Sequence, residues 1–203
     1  MGTEIILDVR KHATVKINLN NYIEYVDEYL LDVLGYDLTD FVTQRPKTIC
    51  HPDMPAVIHE TIGGYIGQYK EGIAVLKHAT KDGNYIWAFT HYYPAYKDDG
   101  TFEAFITRRK PLPNKKVDGN VYNLKKTISK LYKVLKEIEE HSGTEVSRKY
   151  LEGFLEDRGV ETLHDYYMSF FDFKKKDLEE FLSIDEKTPE KVIRKYYDPV
   201  LFG

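Results

Sequence analysis

Two prolines within five residues, in the run His51-Pro52-Asp53-Met54-Pro55, forbid a continuous helix through this part of the chain. Pro52 and Pro55 each remove an amide donor and fix φ. The run therefore closes one helix and opens another, with Asp53 placed to accept hydrogen bonds from the first amides of the new one. Further on, Lys81-Asp82-Gly83 signals a tight hairpin, because Asp-Gly supplies the positive φ that a short turn needs. Strands from Ile73 to Ala79 and from Tyr85 to Tyr93 are predicted on either side of it.

The flanking segments fit the same plan. Ala13 to Asn18 alternates Val15 and Ile17 with polar neighbours, and Asn20-Asn21 is turn chemistry before a second strand from Tyr22 to Val26. Asp27 to Leu34 carries Leu30, Leu31 and Leu34 at helical spacing and stops at Gly35; a second short helix starts behind Asp37 and runs to Thr43. Ala56 to Lys70 carries Ile58, Ile62, Tyr65, Ile66 and Tyr69 as a helical stripe, interrupted by Gly63, Gly64 and Gly67. A glycine inside a helix costs roughly 1 kcal/mol relative to alanine. Three so close together point either to close packing against a sheet or to a bulky group lying on that backbone. Asp98-Asp99-Gly100 makes another turn, Thr101 to Arg108 alternates as a last strand, and Pro111-Leu112-Pro113-Asn114 breaks regular structure.

With the junction, the hairpin and the Ile86-Trp87 pair on the following strand, residues 14–110 resemble the PAS domain of the bacterial aerotaxis receptor. The resemblance implies an α+β fold, a five-stranded antiparallel sheet with helices on one face, followed here by an all-α extension. It also implies a pocket between the sheet and the long helix, which holds FAD in the aerotaxis group. The residues available to line it are His51, Asp53, His59, Gly63, His78, Trp87 and Phe89. Four positions depart from the pattern: Ile86 stands for the tyrosine of a Tyr-Trp pair, Cys50 stands for an arginine, which removes a cation that could serve flavin phosphates, Gly63 stands for a tryptophan, and His78 stands for an asparagine. Haem is the alternative cofactor. In haem-binding PAS sensors the axial imidazole commonly comes from the long helix, where His59 stands. The ring of His51 is expected to serve the junction itself.

The remainder is helical. Asn123 to Glu140 places Leu124, Ile128, Leu131, Leu135 and Ile138 at alternating steps of four and three, a heptad seam. Large aliphatic side chains in that arrangement are buried either across a two-fold interface or on the protein's own surface, and the spacing favours a homodimer. Thr144 to Asp157, Leu163 to Phe173, Lys174 to Leu182 and Lys191 to Tyr197 follow as short helices of a small bundle. The organisation expected is an N-terminal extension over 1–13, a sensory domain over 14–110, a linker over 111–122 and a helical region over 123–203.

Composition limits the rest. A net charge of −4 gives nucleic acid no general attraction. No apolar run is long enough for a membrane span, and the first residues lack a signal peptide's order, so a cytoplasmic protein is expected. Cys50 is the single cysteine and cannot pair within the chain. The histidines lack zinc-ligand spacing, Cys50 and His51 are adjacent on a tight junction where a nucleophile and its base rarely face each other, and no phosphate or dinucleotide loop is present. With no catalytic motif, and with the sensory role that the PAS resemblance implies, the chain is expected to be a non-enzymatic sensory module that binds a small ligand or cofactor and signals through its C-terminal helices to a separate partner protein. The second reading is a ligand-free interaction or dimerisation module.

Overall fold

The structure is a computed structural model that describes residues 2–114, 124–170 and 175–197. Most of the predicted 111–122 linker, Asn123 and the end of the predicted Leu163 to Phe173 helix lie outside the described residues.

Five antiparallel strands, β1 (Ala13–Ile17), β2 (Ile23–Val26), β3 (Gly72–Ala79), β4 (Tyr85–Tyr96) and β5 (Phe102–Lys110), form one sheet in the order β2-β1-β5-β4-β3. The two Asp-Gly turns work as their chemistry requires, with Gly83 at φ 85° and Gly100 at φ 79°. Between β2 and β3 run α1 (Glu28–Leu34), α2 (Leu38–Phe41), a 3-10 turn (Pro46–Ile49) and α3 (Ala56–Gly67). The Asp27 carboxylate caps α1 by accepting from the Leu30 amide at 3.0 Å, and Gly35 ends it in the left-handed region.

Strand alternation sorts the sheet into two faces. Leu76 and His78 of β3, Thr90 and Tyr92 of β4, and Phe105, Thr107 and Arg109 of β5 face α3. The opposite face presents Ile73, Val75, Trp87, Phe89 and Lys110. The five-stranded sheet with α1–α3 on one face is as expected. A second layer is not: α4 (Leu124–Ser142), α5 (Thr144–Glu156), α6 (Leu163–Met168), α7 (Lys175–Leu182) and α8 (Glu190–Tyr196) do not stand apart as a bundle but share one apolar cluster with β3 and β4. The Tyr132 hydroxyl donates to the Val75 carbonyl at 2.6 Å, Trp87 stacks on Tyr132 with centroids 6.0 Å apart, and Phe89 meets Phe181 edge-on at 5.2 Å.

The heptad seam is therefore intramolecular. Leu124, Ile128, Leu131 and Leu135 are buried in this cluster and Ile138 is half-buried, so the stripe that favoured a homodimer is already covered by the protein's own sheet and helices. Heptad spacing specifies an apolar stripe along a helix but not what meets it, and an exposed sheet face of Ile, Val, Trp and Phe meets it as well as a second helix would.

Strand β5 also outruns its predicted end at Arg108. Lys110 pairs in register with Phe89, and its buried ammonium donates to the carbonyls of Val9 (3.0 Å), Lys11 (3.2 Å) and Ile184. The N-terminal segment is tied in as well. Tyr85 and residues 3–5 exchange two backbone hydrogen bonds, of 3.1 and 2.8 Å, and Leu7 and Val9 are buried. Among the described residues no helix is long and apolar enough to cross a membrane.

Candidate functional site

Between α3, the 3-10 turn, the His51–Pro55 junction and the sheet lies a cavity of about 840 Å³. Its apolar wall includes Ile62, Ile66, Leu76 and Phe105. The three helical glycines explain part of the space. A Cβ at Gly63, Gly64 or Gly67 would meet nothing within 4 Å, so close packing against the sheet does not account for them, and Gly63 and Gly67 open onto the cavity. Their φ values are ordinary, so alanine at Gly64, which lies off the cavity wall, is expected to raise stability by about 0.5–1 kcal/mol in a denaturant titration.

The cavity floor is polar. Arg109 is 4% exposed; its Nε donates to His78 Nε2 at 3.2 Å and its Nη1 to Thr107 Oγ1 at 3.0 Å. Thr107 passes its own proton to the Val15 carbonyl at 3.3 Å. Burial pulls the guanidinium pKa down to about 10, which leaves it cationic near neutrality. No carboxylate of the described residues forms an ion pair with it. Asp27 offsets its charge only from a distance, because the Asp27 oxygens are engaged by the amides of Thr14 and Leu30.

His78, 3% exposed, must be neutral to accept from Arg109. Burial and then the adjacent guanidinium push its pKa well below 6.5, while the Ile49 carbonyl opposes the shift. Burial likewise lowers the pKa of His59 and raises that of the Cys50 thiol, whose Sγ lies 3.9 Å from His59 Nδ1. Three buried polar atoms of the cavity wall, His59 Nε2, His78 Nδ1 and Thr90 Oγ1, have no hydrogen-bond partner among the described residues.

The neutral histidines fix the sign of a pH effect. Because folding lowers the pKa of His59 and His78, the unfolded chain binds more protons as pH falls through 6.5, and stability is lost there until the folded values are passed. The thermal midpoint should therefore fall between pH 8 and pH 5, and His78→Gln should shrink that fall; an unchanged slope would show that His78 is not held neutral.

Of the residues singled out from the sequence, His51, His59, Gly63 and His78 line the cavity. Asp53 and Trp87 do not, and neither does Phe89. Trp87 and Phe89 lie one residue out of phase with Thr90 and Tyr92, which turns their rings to the helical layer on the other face. His51 Nδ1 accepts from the Asp53 amide at 3.1 Å, so its ring does serve the junction. The Asp53 carboxylate is exposed and pairs with Lys77 at 2.7 Å instead of capping α3.

The cap of α3 comes from the other end of the chain. The amides of Ala56 and Val57 donate to the two Glu139 oxygens of α4 at 2.9 and 2.8 Å, where the helix dipole also favours the charge. Glu139→Ala should destabilise by about 1–2 kcal/mol in urea unfolding, with Glu139→Gln recovering part of the loss. A null effect would mean that the pair contributes nothing net.

Sequence reasoning missed Arg109, Thr90 and Thr107. The available signal was Arg108-Arg109-Lys110 on a strand: alternation sends the middle cation to the face opposite its neighbours, and here that face is the cavity.

Residues 23–107 match the family model described as PAS fold. No curated protein matches the chain. Similar solved structures include the dark structure of the blue-light photoreceptor Aureochrome1 LOV, 17% identical over 63% of this chain and 86% of that one, with a TM-score of 0.46. Another is the light-state dimer of the fungal blue-light photoreceptor Vivid, 16% identical over 48% and 76% of the two chains, with a TM-score of 0.43. An RNA-binding light-oxygen-voltage receptor is 13% identical over 49% and 29%, with a TM-score of 0.46. With the family match and the strand order β2-β1-β5-β4-β3 in agreement, the sheet and helices over residues 23–107 are a PAS fold, joined to a helical layer built from the C-terminal part of the chain.

Proposed function

We propose that this protein is a non-enzymatic, cytoplasmic sensory module whose cavity binds a small organic ligand and whose helical layer relays occupancy to a separate partner protein. The observation that carries the reading is the cavity itself: about 840 Å³ lined by a buried cation without an ion-pair partner and by three buried polar atoms without hydrogen-bond partners among the described residues. Buried polar groups in folded proteins are almost always satisfied, so such a set calls for a ligand or bound water.

The relay has two material links. Strand β3 turns Leu76 and His78 into the cavity while its Val75 carbonyl accepts from Tyr132 of α4, and the Tyr132 hydroxyl also bonds to Tyr167 of α6 at 2.5 Å. The second link is the Glu139 cap, which binds the start of α3 to α4. A ligand that shifts α3 or β3 would bias the helical layer through contacts that differ between the two states.

The cofactor reading keeps both candidates. The aerotaxis resemblance implies flavin, for which Arg109, Thr90 and His59 are the available hydrogen-bonding groups. Haem would take His59, whose neutral ring has an unengaged Nε2. Either would supply redox or gas chemistry when bound.

The test is the binding of Nile red, an uncharged apolar dye, to purified protein, together with its visible absorption spectrum. Saturable dye fluorescence that Gly63→Phe abolishes, or a native chromophore in the cavity, supports the reading. A colourless protein that does not bind the dye supports the ligand-free interaction module.

A further inference from the structure

We propose that the cavity selects an organic acid, an anionic head group on an apolar body, with Arg109 and Thr90 as the residues that recognise the head. The proposal rests on the ligand-cavity reading and names the chemistry that reading leaves open.

A guanidinium held at 4% exposure is costly unless a negative charge and hydrogen-bond acceptors compensate it. Its Nε and Nη1 are engaged by two neutral acceptors, His78 Nε2 and Thr107 Oγ1, which hold the group in place without neutralising it. Nη2 has no protein partner among the described residues, and the residue lines the cavity. The missing counter-charge is a ligand's to supply.

Thr90 is the independent second observation. It is directly opposite Arg109 in the β4–β5 register, so the two side chains leave the sheet side by side on the cavity face. Its hydroxyl is buried without a partner. A carboxylate can accept from Arg109 Nη2 with one oxygen and from the Thr90 hydroxyl with the other. His59 Nε2, also unpartnered, remains for a further polar group.

The surroundings agree in sign and in polarity. Lys47 and Lys136 also line the cavity, whereas the one carboxylate among the described residues lining it, Glu60, is held by Arg148 of α5. Ile62, Ile66, Leu76 and Phe105 leave an apolar wall for a hydrocarbon or ring. A second anionic group deep in the cavity would find no second buried cation among the described residues lining it, which favours one acidic head over a polyacid.

The experiment is displacement of Nile red by octanoate and by octanamide, which match in shape and differ in charge. Wild-type protein should release the dye at an octanoate concentration at least about tenfold lower than for octanamide, since a charge-assisted hydrogen bond is roughly twice as strong as a neutral one. Arg109→Met should erase that preference. Thr90→Val, a near-isosteric change that tests the site even where loss of Arg109 disturbs folding, should reduce it several-fold.

Equal displacement by the acid and the amide, or a preference that survives Arg109→Met in folded protein, overturns the proposal. A flavin or haem that purifies in the cavity overturns it too, with the cavity reading intact. Dye binding that neither compound competes for likewise ends the organic-acid assignment alone. Absence of dye binding in a colourless protein ends both.

Discussion

Leu135→Lys is expected to destabilise the protein by at least about 4 kcal/mol, because the substitution removes a fully buried aliphatic side chain and leaves a charge in its place. Leu135 is 0% exposed and belongs to the cluster that α4 shares with β3 and β4. A folded domain has only about 5–15 kcal/mol in total, so the helical layer should lose its native packing at 25 °C and the urea midpoint should collapse. The same stripe, read as a dimer seam, predicts the opposite: a protein that stays folded and changes only its sedimentation. Lys133→Glu on the exposed face of α4 serves as the control and should leave the midpoint nearly unchanged. A stable Leu135→Lys monomer derived from a wild-type dimer would show that the seam packs between copies.

Lys110→Met has the second-largest effect, about 3 kcal/mol. The ammonium donates to three main-chain carbonyls drawn from the N-terminal segment and from the turn after α7, and methionine would leave all three without that donor. Each buried unsatisfied carbonyl costs on the order of 1–3 kcal/mol. Part of that loss is returned, because the wild-type ammonium is itself desolvated, as its pKa of about 8 reflects. Protection of the Val9 and Ile184 regions in hydrogen exchange should fall together. A midpoint within about 0.5 kcal/mol of wild type would show that Lys110 is expendable.

Local signals in the chain read well because the physics behind them is local. Pro52 and Pro55 break the helix wherever they occur, and Gly83 and Gly100 supply positive φ regardless of context. That is why the PAS half of the fold and four of the lining residues could be found from sequence. Trp87 was misplaced because side-chain direction depends on register, and a one-residue offset in a strand reverses the face. The seam was misassigned because a heptad pattern carries no information on its partner.

The Glu139 cap and the Lys110 cradle were illegible for a different reason. Each joins residues far apart in the chain, Glu139 to Ala56 and Val57, and Lys110 to Val9 and Ile184. Neither residue has a neighbour in sequence that would betray its role. Arg109 lay between these cases: its strand was foreseen, but the strand's predicted end at Arg108 stopped one residue short of it.

The account's central claim is that occupancy of the cavity is felt on the opposite face of the sheet. Hydrogen exchange of the full chain, with and without saturating Nile red, tests it directly. The account predicts altered protection in α3 and β3 and also around Tyr132 of α4 and Tyr167 of α6, neither of which lines the cavity, whereas Lys136 further along α4 does. Changes confined to α3, the cavity strands and the Lys136 end of α4, with the surroundings of Tyr132 and Tyr167 unaltered at full occupancy, would contradict it.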